Sequence, residues 1–244
     1  MKILHEQYPT FDGLQSPMLG VCLQFDQAGK PALQILHTGA YHWVTSTSAT
    51  PESQVDISDS LAGLLTGHLQ LQIASIYHHL EKDGKLNVSI RPCQRQTGGQ
   101  NCGLFAIAFA TELADLCCSG TVQLDEAQMR SHLANCLEAH AITPFPRSSG
   151  RQTSTMCTQF DLSIQLHCYC RMPAIYDRMQ QCVTCKQPYH FSCIGLPEKA
   201  TELKQRSGAW FTCAFCCHQR PVIKDRPTKF KFIAAKKHSR KDDY

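Results

Sequence analysis

Apolar and polar residues alternate in short runs along the first 90 positions. Leu33-Gln34-Ile35-Leu36 reads as a strand, and Trp43-Val44-Thr45-Ser46-Thr47, rich in β-formers, reads as another. Val55-Asp56-Ile57-Ser58-Asp59 and Leu86-Asn87-Val88-Ser89-Ile90 change polarity at each step, the period of a half-buried strand. Between them the spacing becomes helical, with Leu69, Ile73, Ile76, Tyr77 and Leu80 on one stripe. A second helix is expected from near Cys102, burying Phe105, Ala108, Phe109 and Leu113. A third is expected from about Asp125, with Met129, Leu133 and Leu137 on one face. Strands, a helix, a strand and two helices in that order predict an α+β layer around one core.

These patterns occupy residues 1–146. Residues 147–165, opening Arg147-Ser148-Ser149-Gly150, are polar and aperiodic and read as a linker. Residues 166–217 are rich in cysteine, and residues 218–244 form a basic tail, expected to be disordered. With 43% hydrophobic and 18% charged residues, the chain as a whole is too apolar for a disordered protein. The apolar run Leu104 to Ala110 is far short of the ~20 residues that span a bilayer, so no membrane segment is expected. Met1-Lys2-Ile3-Leu4-His5-Glu6 has no apolar core after its lysine, so no secretory signal is read.

Fifteen cysteines, an odd count without a secretory signal, argue against a disulfide scaffold and for a reducing, intracellular setting. Eight of them fall between Cys168 and Cys217, which reads first as metal binding. The net charge of +4 is uneven: the tail has nine Lys or Arg against three Asp, or +6, leaving −2 for the rest. Such a tail could contact nucleic acid or another anionic surface, or serve only as a solvated extension.

The cysteine-rich segment has a regular spacing. Cys168-x-Cys170 is followed after eleven residues by Cys182-x2-Cys185, after four by His190-x2-Cys193, and after nineteen by Cys213-x2-Cys216. Eight thiolate or imidazole ligands in four close pairs match two tetrahedral Zn²⁺ sites. A segment this short has little apolar core, so metal would supply much of its folding free energy, ~10 kcal/mol or more per site. Four Cys, one His and three Cys in this order resemble the PHD finger, as do Met179, Tyr189 and Phe191 around the ligand His190, the run Ile194-Gly195-Leu196, and Trp210 three residues before Cys213. The resemblance implies a two-zinc cross-brace, with Cys168, Cys170, His190 and Cys193 on one ion and Cys182, Cys185, Cys213 and Cys216 on the other. It further implies binding of a histone tail, with Tyr176 at one position of an aromatic cage. Pro188 stands where the cage Trp would be, and Val183 where an acidic residue would be. Little preference for trimethylated over unmodified lysine is therefore expected.

A second cluster of chemistry surrounds Gln96-Thr97-Gly98-Gly99-Gln100-Asn101-Cys102-Gly103-Leu104-Phe105-Ala106. A cysteine opening an apolar helix lies at unpaired N–H groups and a partial positive charge, which favour thiolate. A nucleophile also needs a base, and the base an orienter. His42 begins one strand-like run and Asp59 ends the next, so neighbouring antiparallel strands could set one beside the other. Asp56 is the alternative orienter if the register slips by three. Gln96 could donate amide hydrogens to a developing oxyanion.

His42-Trp43, then Asp59-Ser60, then Gln96, then Cys102-Gly103-Leu104-Phe105 is an order similar to that of the ubiquitin-like-protein (SUMO) protease and adenovirus-protease superfamily. The likeness is nearest to protease-like frames of animal mobile elements, through Cys102 to Ala110, Met129-Arg130-Ser131-His132-Leu133 and Pro144-Phe145-Pro146. It implies a papain-like cysteine protease fold over residues 1–146, with His42 as general base, Asp59 as its orienter, Gln96 as oxyanion donor and Cys102 as nucleophile. Trp43 would cover the Gly-Gly tail of a substrate. Asn101 stands where the family usually has Asp, and Ser58 replaces an aromatic. Together the two resemblances imply an intracellular, nuclear thiol peptidase or isopeptidase acting on a ubiquitin-like modifier or protein substrate, with the finger directing it to chromatin. The alternative is a non-catalytic chromatin or protein-interaction module that keeps the protease fold as scaffold.

Overall fold

A computed structural model describes residues 1–29, 31–39, 41–50, 52–115, 123–148, 156–196 and 211–217. The basic tail 218–244, Trp210, the pair Cys117-Cys118 and the middle of the expected linker lie outside the described residues. Among the described residues no helix is long and apolar enough to cross a membrane.

Six strands form one mixed sheet in chain order. β1 (Asp12–Gly13) runs parallel to β2 (Ala32–His37), and β2 pairs antiparallel with β3 (Trp43–Thr47). β3 pairs antiparallel with β4 (Val55–Ser58), which runs parallel to β5 (Lys85–Ile90). β5 pairs antiparallel with β6 (Phe160–Gln165) along its whole length. Helices cover both faces. Leu33 and Ile35 of β2 pack in a core with Phe105, Phe109 and Ala110 of α4 (Cys102–Ala114), Met129 and Cys136 of α5 (Met129–Glu138), and Leu4 of α1 (Lys2–Gln7). Ala32 and Leu36 face the other core, with Val44, Val55, Ile57, Leu86, Val88 and Ile90. There they meet Leu69, Ile73, Ile76 and Tyr77 of α3 (Gly67–Tyr77). A short α2 (Pro17–Val21) packs along β2.

Burial on two faces explains one departure from the expected pattern. Alternation in β4 predicts one exposed face, yet Val55, Asp56, Ile57 and Ser58 are all buried, and on the polar side Asp56 is paired with Arg91 and Gln54. On the same side Thr45, opposite Ser58, donates from its Oγ1 to Ala106 O at 2.7 Å, tying β3 to the helix that carries Cys102.

The third expected helix begins later than expected and rolls slightly. Asp125–Gln128 form a turn stapled by the Asp125 side chain, which accepts from the Ala127 N–H and the Gln128 amide. α5 then buries Met129 and Cys136 while Leu137 is 52% exposed. Seven residues return a helix to within about 20° of its start and eight carry it about 80° past, so Cys136, not Leu137, shares the face of Met129.

The expected linker is corrected by the sheet. Met156 bridges Gln94, the Cys157 N–H donates to Cys93 O, and β6 completes the sheet beside β5. Ile164 and Leu166 enter the same core as Val88 and Ile90. One residue, His167, separates Leu166 from Cys168, so the cysteine-rich segment leaves the sheet with no free spacer. Met172 packs on that core, Arg171 pairs with Glu81 at 3.5 Å, and a Cβ on Gly67 would come within 2.9 Å of Ile175. In the cysteine-rich segment itself, β7 (Met179–Gln181) and β8 (Pro188–His190) form a small antiparallel pair.

If β6 belongs to the cooperative unit, Ile164→Ala lowers the unfolding free energy by about 2–5 kcal/mol, the range for a fully buried aliphatic side chain. Urea denaturation measures it; a loss below about 0.5 kcal/mol, typical of surface positions, would place the strand outside that unit.

Candidate active site and metal-ligand clusters

The antiparallel pairing of β3 with β4, Thr45 opposite Ser58, brings the residue before one strand close to the residue after the other. His42 and Asp59 occupy those positions, and His42 Nε2 bonds Asp59 Oδ1 at 2.6 Å. The same carboxylate accepts the N–H of Leu61 at Oδ1 and of Gly63 at Oδ2, each at 2.8 Å. Burial alone would raise the Asp59 pKa, but the bond from His42 and the two backbone donors hold it below the ordinary carboxylate value. Burial pulls His42 down, yet Asp59, with a smaller contribution from Cys102, lifts it above the ordinary imidazole value. Asp56 is directed elsewhere: it lies opposite Thr47 and binds Arg91 at 3.4 Å and Gln54 at 2.9 Å, so it does not orient His42.

Cys102 is the first residue of α4, buried against the end of the sheet. Its thiol points to Tyr41 O at 3.9 Å and interacts with His42. His42 Nδ1 is buried without a hydrogen-bond partner. A buried ring nitrogen left open beside a thiol is the arrangement in which a proton can pass from sulfur to imidazole. Trp43 packs at the same place: a Cβ on Gly103 would lie 3.7 Å from its indole, which also meets the ring of His37 edge-on at 4.8 Å.

Gln96 joins this group through Ser60. The Gln96 N–H donates to Ser60 O, and Ser60 Oγ donates to Gln96 Oε1 at 2.7 Å, which fixes the amide with its nitrogen turned away. One amide hydrogen is donated to Gly98 O at 2.8 Å, and the second is left for another acceptor. The alternation around Asp59 gave Ser60 no role, and only the folded contact reveals it. Cys157 is a second addition: its thiol donates to Asp59 O at 3.1 Å, so the segment expected as linker also holds Asp59.

The eight metal-ligand candidates converge in two groups. Donor atoms of Cys168, Cys170, His190 and Cys193 lie within 4.8 Å of one another, and so do those of Cys182, Cys185, Cys213 and Cys216. The groups interleave along the chain. His190 Nε2 donates to Pro173 O at 3.2 Å, while its Nδ1 lies 3.2 Å from Cys170 Sγ. The bond to Pro173 O fixes which ring nitrogen faces the cluster, as metal-binding histidines require. In the other group Cys182 and Cys213 are buried, and the Cys213 N–H donates to Cys182 Sγ at 3.3 Å. Three sulfurs with one nitrogen, and four sulfurs, could each hold a metal ion. Cys217 belongs to neither group; its thiol bonds Thr212 O. Tyr176 is 79% exposed, its hydroxyl near the first residue of α3.

Metal analysis of the purified chain should return two ions per molecule. Because Leu166 ties the clusters to the sheet, chelation should also speed hydrogen exchange of the β6 amides, and Cys213→Ser should lower the thermal midpoint of the whole chain. Unchanged β6 exchange after chelation would show the two parts to be independent. Acid–base behaviour gives a second test. A raised His42 pKa stabilises the fold fully below about pH 6.5 and loses that contribution as pH rises through the folded value. A lowered Asp59 pKa stabilises it above about pH 3.9 and loses it on acidification. The stability difference between wild type and His42→Ala should therefore be larger at about pH 5.5 than at about pH 9, and equal differences would mean that the pair is not ionic. Compared with protein-family models, curated proteins and solved structures, the chain matches none, and the assignment of these residues rests on their own geometry.

Proposed function

We propose that the chain is a thiol hydrolase of peptide or isopeptide bonds, with a papain-like domain of the ubiquitin-like-protein protease kind and a PHD-type finger holding two structural zinc ions. The observation that carries the reading is the His42–Asp59 bond beside a helix-opening Cys102, with His42 Nδ1 buried and open. In the reaction, His42 takes the thiol proton and sulfur attacks the carbonyl carbon. The oxyanion is stabilised by the free hydrogen of the Gln96 amide and by backbone N–H groups at the start of α4. Collapse breaks the C–N bond, His42 protonates the leaving amine, and a thioester remains on Cys102. Water, deprotonated by His42, then releases the carboxylate and restores the thiol. Asp59 keeps the imidazole oriented and stabilises its cationic form.

Trp43, beside the nucleophile, suits a narrow Gly-Gly segment, which favours the tail of a ubiquitin-like modifier as substrate. Sulfur-rich sets of four donors suit the tetrahedral preference of zinc, and with all four positions taken by protein the ions would be structural. A histone tail is the partner implied for the finger, with the exposed Tyr176 as an aromatic wall. The basic tail could add contact with nucleic acid, and both point to chromatin in the nucleus. The rival is a non-catalytic interaction module on the same scaffold.

A ubiquitin-like modifier carrying a C-terminal vinyl sulfone decides between them. Wild type should be labelled at Cys102; Cys102→Ala and His42→Ala should not react at neutral pH. Gln96→Ala should lower kcat by ~10²-fold or more, the usual effect of losing an oxyanion donor. If His42→Ala and Gln96→Ala both leave the rate intact, Cys102 is a bystander and the scaffold reading stands.

A further inference from the structure

The stretch between Gln96 and Cys102 must be ordered for both residues to serve one reaction, yet little packs against it. Thr97, Gly98, Gly99 and Gln100 are exposed. Gly98 has φ +75, and a Cβ on either glycine would meet nothing within 4 Å. Apolar contact therefore cannot hold this loop, and its order must come from hydrogen bonds.

Gln96 supplies one, to Gly98 O, and Glu126 supplies those at both ends of the loop. Glu126 accepts the Thr97 N–H at 2.9 Å and 3.2 Å through its two oxygens, and accepts from Asn101 Nδ2 at 2.7 Å. Arg130 donates to Asn101 Oδ1 at 3.2 Å, which sets the amide so that its nitrogen faces Glu126. Glu126 is itself anchored. Gln94 accepts the Leu124 N–H at 2.6 Å and donates to Leu124 O at 3.2 Å, and the Asp125 N–H donates to Pro146 O. The segment before the loop and the segment bearing Glu126 are thus fastened together at Gln94, and the carboxylate closes the arrangement over both ends of the loop.

The same contacts change the start of α4. Asn101 occupies the N-cap position, where an Asn side chain ordinarily accepts a hydrogen bond from the first turn. Here it makes no cap bond. Its amide is turned toward Glu126 and Arg130 instead, so the backbone donors nearest Cys102 stay free for charge that develops during the reaction.

We propose that Glu126 is the positioning residue of this site, holding the loop of residues 97–101 so that Gln96 and Cys102 act on one carbonyl, and diverting Asn101 from capping α4. The catalytic half of this inference rests on the thiol-hydrolase reading; the ordering of the loop does not. Asn101 and Glu126 form a donor–acceptor pair that exchange of chemistry should preserve. Asn101→Asp sets two carboxylates against each other, whereas Asn101→Asp with Glu126→Gln restores one donor and one acceptor.

The test uses the full chain as wild type, Glu126→Ala, Glu126→Gln, Asn101→Asp and the double variant. Amide hydrogen exchange of residues 97–101 reads the loop, mass-mapped alkylation by iodoacetamide reads Cys102, and hydrolysis of a modifier C-terminal aminocoumarin amide gives kcat and KM. Glu126→Ala and Asn101→Asp should speed loop exchange and lower kcat, each about tenfold, the effect of roughly one charge-assisted hydrogen bond, with KM within about twofold. Glu126→Gln should stay within about threefold of wild type, and the double variant should recover most of the loss of Asn101→Asp. Unchanged exchange in Glu126→Ala, or no recovery in the double variant, would overturn the proposal. So would faster exchange with kcat intact in an active enzyme. If wild type turns over no substrate, the hydrolase reading fails on its own. Glu126 is then judged by loop exchange and by Cys102 alkylation, both of which must change in Glu126→Ala and return in the double variant.

Discussion

The hydrogen bonds between β3 and β4 set the spacing on which the candidate site depends. Three residue pairs, Thr45 with Ser58, Ser46 with Ile57 and Thr47 with Asp56, fix where each strand ends. A strand has period two, so a slip of one residue would turn Val55 and Ile57 out of the α3 core and bring Asp56 and Ser58 into it. Burial of those two apolar side chains therefore locks the register. The 2.6 Å contact of His42 with Asp59, at the far end of the pairing, follows from this packing as much as from its own chemistry.

Polar groups buried near that register are paired with unusual economy of elements. Thr45 ties β3 to α4, Ser46 bonds the Tyr77 hydroxyl of α3 at 2.9 Å, and Gln94 joins the loop before Cys102 to the turn before α5. Each such bond lies where water is excluded, so an unpaired group there costs about 1–3 kcal/mol. These contacts fix one arrangement of helices on the sheet where apolar packing alone would tolerate several. His42 Nδ1 is a buried nitrogen without such a bond, close to Cys102 at the start of α4.

Much of this was readable from residues alone. Short runs of β-forming residues located β2 and β3, alternation located β4 and β5, and the helical stripe located α3, because those elements lie in the middle of the layers and bury nearly all their apolar positions. Cysteine and histidine spacing foretold both metal-ligand groups, since ligand pairs must be close in sequence to reach one ion. β6 escaped for the opposite reason. Phe160, Leu162 and Ile164 do alternate with polar residues, but only Ile164 is deeply buried, and polar sequence precedes the strand. An edge strand needs few apolar residues, so its composition resembles a linker. Glu126 and Ser60 were illegible for yet another reason: each acts on a residue brought near only by the fold, and no local period marks such a contact.

The position of β6 in the chain has a bearing on biosynthesis. β5 ends at Ile90 and its partner begins at Phe160. At roughly 5–20 residues per second, a ribosome needs on the order of ten seconds to deliver the partner after β5 has emerged. For that interval the backbone groups of β5 on one side have no mate, and Leu86, Val88 and Ile90 lack the cover that Ile164 and Leu166 later give. Such an edge can recruit another nascent strand. The nascent chain is therefore most in need of chaperone protection while residues 91–165 are being made, and the sheet becomes self-protecting only as Cys168 and Cys170 leave the exit tunnel.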